Sequence, residues 1–271
     1  MRVFLLAAIA LGLAAPAQAQ TVPSAAAAGL TFGHVHLNVS DIEAQNRFWT
    51  TYFGGQPFRH GTQAGVKLPG LLILMTQQAP TAGSQGAALD HFGFKVPDLQ
   101  AFLARVRAGA AGAVTVQNEI IGMEGVPASN MLGPDGVRIE VQENKGQALP
   151  AIANHMHFQT PVNEAMLAWY VDNFGVEKAA RGRLATSANV PGGMNLSFSS
   201  ARDPSAPNRG RAVDHLGFEF KDLAAEVRRL QARGVKLEGP VREVPGAGFK
   251  SVFITDPAGV PLELTQGLAA Y

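Results

Sequence analysis

The chain has 271 residues, 46% hydrophobic and 16% charged, with a formal charge of +1, the profile of a folded globular protein with room for two cores. That balance provides no global field to attract nucleic acid or an anionic membrane, so a small-molecule partner fits better. There are 0 cysteines, which excludes disulfides, thiolate ligands and cysteine nucleophiles and leaves His, Asp and Glu to hold any metal.

The opening MRVFLLAAIALGLAAPAQAQ sets Arg2 before about a dozen apolar residues and reaches Ala17-Gln18-Ala19, an A-x-A cleavage site. It reads as a secretory signal peptide over residues 1–19, too short and too broken by Pro16 to span a bilayer, and it implies a secreted, periplasmic protein. Removing Arg2 with it lowers the formal charge from +1 to 0. A flexible lead-in over 20–30 follows, and no later segment is apolar enough to span a membrane.

The first domain is expected over residues 31–146. In its opening strand Val35, Leu37 and Val39 alternate with His34, His36 and Asn38, giving one apolar and one polar face. Ser40 and Glu43 have capping-box spacing, and a helix from Asp41 to Phe53 stops at Gly54-Gly55. A second unit opens at LDHFGFKVPDL, with Phe92, Phe94 and Val96 opposite His91, Gly93 and Lys95; Leu99, Phe102, Leu103 and Val106 then take helical spacing. GPDGVRIEV closes that unit on a strand whose polar side carries Glu140, and its glycines are explained by a turn.

After a polar linker, Glu143 to Pro150, the pattern repeats in a second domain expected over 151–268. ANHMHFQTPV places His155 and His157 at an offset of 121 from His34 and His36, and Thr160 with Pro161 opens the next helix. VDHLGFEFKDL follows, with His215 at an offset of 124 from His91, and DPAGVPLEL ends on Glu263, 123 residues after Glu140. About three short strands follow each helix, so the repeating unit reads as βαβββ.

Of 7 histidines, six sit on these opening strands, each on the polar face; only His60, in the turn-like FRHGT, lies elsewhere and reads as a surface residue. Glu140 and Glu263 also point to the polar side of their strands. Two imidazoles and a carboxylate on facing strands form a 2-His-1-carboxylate set, which leaves positions open for substrate and suits Fe(II) and also Mn, Ni or Zn. The expected sets are His34, His91 and Glu140 in the first half, and His155, His215 and Glu263 in the second. His36 and His157 share the face and are the candidate proton carriers. Trp49, Tyr52, Trp169 and Tyr170 fall on helices and are expected to pack.

The openings HVHLNVSD and DHxGF, with the closing runs PDGVRIE and DPAGVPLE, resemble the vicinal oxygen chelate superfamily, which includes glyoxalase I, extradiol dioxygenases, fosfomycin-resistance transferases and bleomycin-binding proteins. The resemblance covers nearly the whole chain after the lead-in. It implies an α+β fold in which four βαβββ modules pair into two cups, a divalent metal cofactor on His34, His91, Glu140, His155, His215 and Glu263, and His36 and His157 lining the cavities.

Two departures bear on the reaction. Glyoxalase I takes a fourth ligand, a Glu, from a strand that here reads LLILMTQ or MNLSFSS, without an acid. Extradiol dioxygenases place a His and then a Tyr ahead of the last closing run, where this chain has VPGAGFKSVFIT with Phe253 in the Tyr position. The resemblance therefore implies a metal-dependent enzyme acting on vicinal oxygens, dioxygenase-like or a lyase or isomerase. A metal-free cup that sequesters a small ligand is the alternative, and the oligomeric state is left open.

Overall fold

The computed structural model describes residues 29–109, 114–203 and 205–271; the expected signal segment and nearly all of the lead-in lie outside the described residues. Among the described residues no helix is long and apolar enough to cross a membrane.

The βαβββ unit is built four times. Unit one is β1 (Leu30–Val39), α1 (Ile42–Phe53), β2 (Gln56–His60), β3 (Gln63–Leu68) and β4 (Leu71–Gln77). Unit two is β5 (Leu89–Val96), α2 (Leu99–Gly109), β6 (Thr115–Ile121), β7 (Pro127–Leu132) and β8 (Arg138–Glu143). Unit three is β9 (Ile152–Thr160), α3 (Asn163–Phe174), β10 (Glu177–Lys178), β11 (Ser187–Asn189) and β12 (Asn195–Ser200). Unit four is β13 (Val213–Phe220), α4 (Leu223–Ala232), β14 (Arg242–Glu243), β15 (Lys250–Thr255) and β16 (Pro261–Gln266).

Helix starts differ slightly from the sequence expectation. Asp41, not Ser40, caps α1, accepting from the amides of Glu43 and Ala44 at 2.8 and 3.1 Å. A carboxylate one residue closer to the helix satisfies two of its free amides, and the Ser40 amide instead donates to Asp135 in the turn before β8. α3 begins after Val162, because Thr160 uses its hydroxyl to accept from the Val162 amide and tightens the turn first.

Within each unit the first strand runs parallel to the last, with the helix as crossover, and its other edge is free to pair. That edge does not find the neighbouring unit of its own half. β1 pairs antiparallel with β13, and β5 with β9. Two eight-stranded sheets result, β14-β15-β16-β13-β1-β4-β3-β2 and β10-β11-β12-β9-β5-β8-β7-β6. Units one and four therefore build one cup, cup one, and units two and three build cup two.

The two units of each half meet instead through their apolar faces. Trp49 of α1 stacks on Phe92 of β5 at 5.8 Å, and Phe53 lies 4.6 Å from Phe94; in the second half Phe174 of α3 lies 4.9 Å from Phe218 of β13. Turns tie the same halves. Gln45 donates to Asp135 and accepts from the Trp49 indole, while Tyr170 donates to Asp256 at 2.9 Å. These aromatic residues belong to one continuous buried core behind both cups, which is the packing role expected for Trp49, Tyr52 and Tyr170.

Candidate metal centres

Strand register brings the polar faces together. In cup one His34 lies opposite Gly217 and His36 opposite His215, while Gly217 is in turn opposite Glu263. In cup two His155 lies opposite Gly93, His157 opposite His91, and Gly93 opposite Glu140. The glycine is what lets a histidine and a glutamate approach from either side of the middle strand. A Cβ at Gly217 would fall 2.1 Å from His34 Cε1, and one at Gly93 would fall 1.9 Å from His155 Cε1.

All six expected ligand residues reach the cups, but their grouping is exchanged. His34 and His215 surround Glu263, with Nε2 to Oε2 distances of 3.0 and 3.5 Å; His91 and His155 surround Glu140, at 3.7 Å each. The sets joining His34 to His91 and Glu140, and His155 to His215 and Glu263, are thus corrected. The reason is the pairing of β1 with β13 and β5 with β9: the HxH strand of one half meets the DHxGF strand of the other.

His36 and His157 enter the same constellations. Ligand atoms of His34, His36 and His215 lie within 4.8 Å of one another, as do those of His91, His155 and His157. The His36 ring stacks on His215 with centroids 4.6 Å apart, and its Nε2 is 2.8 Å from Thr76 Oγ1; His157 Nε2 is 2.7 Å from Ser199 Oγ. Thr76 and Ser199 lie one residue before the ends of β4 and β12, the strands in which no acid was found.

The carboxylate preceding each DHxGF histidine orients it. Asp90 Oδ1 is 2.6 Å from His91 Nδ1, and Asp214 Oδ1 is 2.7 Å from His215 Nδ1, which turns each Nε2 toward the glutamate. Burial pushes Asp90 and Asp214 up, but hydrogen bonds and charge from their histidines outweigh it and hold both at about 2. Burial likewise opposes charge on His91 and His215, yet the paired carboxylates raise both above 6.5. Burial depresses His34, His155 and His157, and it takes His36 down to about 3 with help from the His215 and His34 charges. Glu140 and Glu263 are held below the usual carboxylate range, because their histidines overcome burial.

What remains is a set of buried nitrogens with no hydrogen-bond partner: Nδ1 and Nε2 of His34, Nδ1 of His36 and Nε2 of His215 in cup one, and Nε2 of His91, Nε2 of His155 and Nδ1 of His157 in cup two. Each such atom costs about 1–3 kcal/mol if nothing meets it. Donors 3.0–3.7 Å apart have the spacing of neighbouring ligands around an ion with bonds of about 2.1 Å. The residues therefore fit a divalent metal.

The walls differ. In cup one Leu72 and Leu74 stand beside His34 and His36 on β4, and join Phe249, Leu268 and Tyr271 in a separate apolar cluster. Tyr271, after a 3-10 turn (Leu268–Ala270), lies 5.3 Å from Phe58 and 4.9 Å from the exposed His60. In cup two the corresponding neighbours are Asn195 and Ser197. Sequence reasoning missed Asp90, Asp214, Gly93 and Gly217 as parts of the site, although the repeat of D-H-x-G-F contained all four. It also missed Arg181, which no repeat signals.

Residues 152–264 match the family model described as the Glyoxalase/Bleomycin resistance protein/Dioxygenase superfamily. Glyoxalase I from Zea mays is similar in structure, with a TM-score of 0.68 at 14% identity over 89% of this chain and 94% of that one. A putative dioxygenase from Bacillus subtilis gives a TM-score of 0.67 at 14% identity over 88% of this chain and 86% of that one. At such identities the likeness concerns the fold. No curated protein sequence matches the chain. The family match thus covers the second half of the chain, and the likeness in fold to these structures extends over nearly all the described residues.

Proposed function

We propose that the protein is a secreted, periplasmic, metal-dependent enzyme that acts on a small molecule through two neighbouring oxygens. One observation carries the reading: the unpartnered buried imidazole nitrogens converge beside a glutamate in both cups. Buried nitrogens without an aligned partner at two points would be a heavy burden for a fold that used the cups only to hold an organic ligand. A metal-free sequestering cup would also tolerate splayed side chains, which these are not.

His34, His215 and Glu263 hold one ion, and His155, His91 and Glu140 the other; Fe(II) is favoured, and Mn, Ni or Zn suit the same donors. The bound ion supplies Lewis-acid polarisation of the substrate oxygens. His36 and His157 handle the proton. Each offers Nδ1 to the cup and has Nε2 beside a hydroxyl, Thr76 or Ser199, which fixes the ring's orientation. Burial keeps the His36 imidazole neutral at physiological pH, so it takes a proton only from a group that a bound ion has made strongly acidic. With hydroxyls at the Thr76 and Ser199 positions, the donor set is nearer a dioxygenase-like pattern than a four-ligand lyase.

Metal analysis of purified protein tests this. Glu140→Ala and Glu263→Ala are each expected to lose one ion per chain and the double variant both; if neither single change lowers bound metal, the reading fails. Fractionation of cells expressing the full chain tests export.

A further inference from the structure

Although their ligand sets match, the two cups differ in charge. Lys95 in cup two stands where cup one has Glu219, at an offset of 124, and Arg181 stands 121 residues after His60. His60 does not enter its cup but lies exposed against Tyr271. Arg181 does enter. Its side chain is 5% exposed, Nε donates to Ser197 Oγ at 2.8 Å, and Nη1 reaches Glu124 at 3.3 Å and Glu140 Oε1 at 3.9 Å. Ser197 is the strand neighbour of His157, so the guanidinium lies alongside the ligand set.

Three observations point to an anion as its missing partner. Nη2 of Arg181 is buried and has no hydrogen-bond partner. The same residue lines a cavity of about 260 Å³ whose other walls include Lys95, paired with Glu124, and the amides of Asn154, Asn189 and Asn195. Lys95 and Arg181 are balanced by Glu124 and Glu140, so a bound divalent ion leaves cup two with two surplus positive charges. In cup one Glu219 takes the place of Lys95 and accepts from Thr265 and the Gly267 amide, so its charge together with that of Glu263 offsets a divalent ion.

We propose that cup two selects an anionic chelator, a 2-oxo or 2-hydroxy carboxylate, with Arg181 Nη2 meeting the carboxylate, and that cup one does not. This rests on the metal-dependent reading above. The guanidinium is a planar donor suited to a carboxylate, and desolvation makes its remaining N–H effective.

The test uses the full chain loaded with Mn(II) and titrated with oxalate, the smallest dianion with vicinal oxygens, by calorimetry. About one oxalate per chain is expected at the tighter site. Arg181→Met should weaken it tenfold or more with metal content unchanged, and Arg181→Lys should recover part of the loss. A second arm does not depend on how Arg181 variants fold: Glu263→Ala should retain the tight oxalate and Glu140→Ala should lose it. Two equivalent oxalates per chain, or unchanged affinity in Arg181→Met at full metal loading, would overturn the assignment. Wild-type protein that takes up no Mn(II) would refute the metal reading itself, and the metal assay reports this separately.

Discussion

Replacing Gly217 with Ala isolates the contact on which cup one depends. The added Cβ would lie 2.1 Å from His34 Cε1, 2.4 Å from Nδ1 and 2.9 Å from Nε2, occupying the space of the ring. Ordinary carbon contacts are about 3.5–4.0 Å, so the imidazole must retreat by well over about 1 Å. Metal ligation tolerates about 0.2 Å, so His34 is lost as a ligand and affinity at that site should fall about 100-fold or more. Overpacking adds a stability cost of about 1–3 kcal/mol, read as a lower melting temperature. Metal content and competition with a chelator should show one ion per chain retained. Pairing the change with His155→Ala should remove both ions, whereas pairing it with His34→Ala should remove no more than one. Two ions at wild-type affinity in Gly217→Ala would refute the geometry, and loss of both in the His34 double variant would refute the pairing of unit one with unit four.

Asp214→Asn should weaken metal binding in cup one about 10–100-fold while leaving cup two intact, measured by chelator competition, since His215 loses the carboxylate that orients it. His91 and His215 are raised above 6.5 in the folded protein, so without metal their stabilising contribution is complete below pH 6.5 and is lost as pH rises through the raised values. Metal binding needs those imidazoles neutral, so the metal-loaded protein should show the opposite trend, with affinity falling as pH drops; thermal melts with and without chelator would compare the two. Removing residues 268–271 strips Leu268 and Tyr271 from the apolar end of cup one and should cost about 3–6 kcal/mol, seen in denaturant unfolding, with more binding of an apolar dye. An unchanged midpoint would show that the segment contributes no packing.

The four units, their helices and the residues that face the cups were legible in the sequence because strand alternation and helical spacing are local properties. Val35, Leu37 and Val39 against His34, His36 and Asn38 fix the two faces of β1 whatever it pairs with. The repeated D-H-x-G-F likewise determined that an acid, an imidazole and a gap recur together. What periodicity does not encode is the partner of a strand edge. β1 offers the same alternation to β5 or to β13, and each half carries one HxH and one DHxGF strand, so both pairings satisfy the same local pattern. Only the tertiary structure decided that His34 meets Glu263 and His155 meets Glu140, through the antiparallel pairing of β1 with β13 and β5 with β9 while the aromatic faces hold each half together behind them. The same holds for Arg181: it lies outside every repeated motif, and only the fold brings its guanidinium to 3.9 Å from Glu140 and makes the two cups differ.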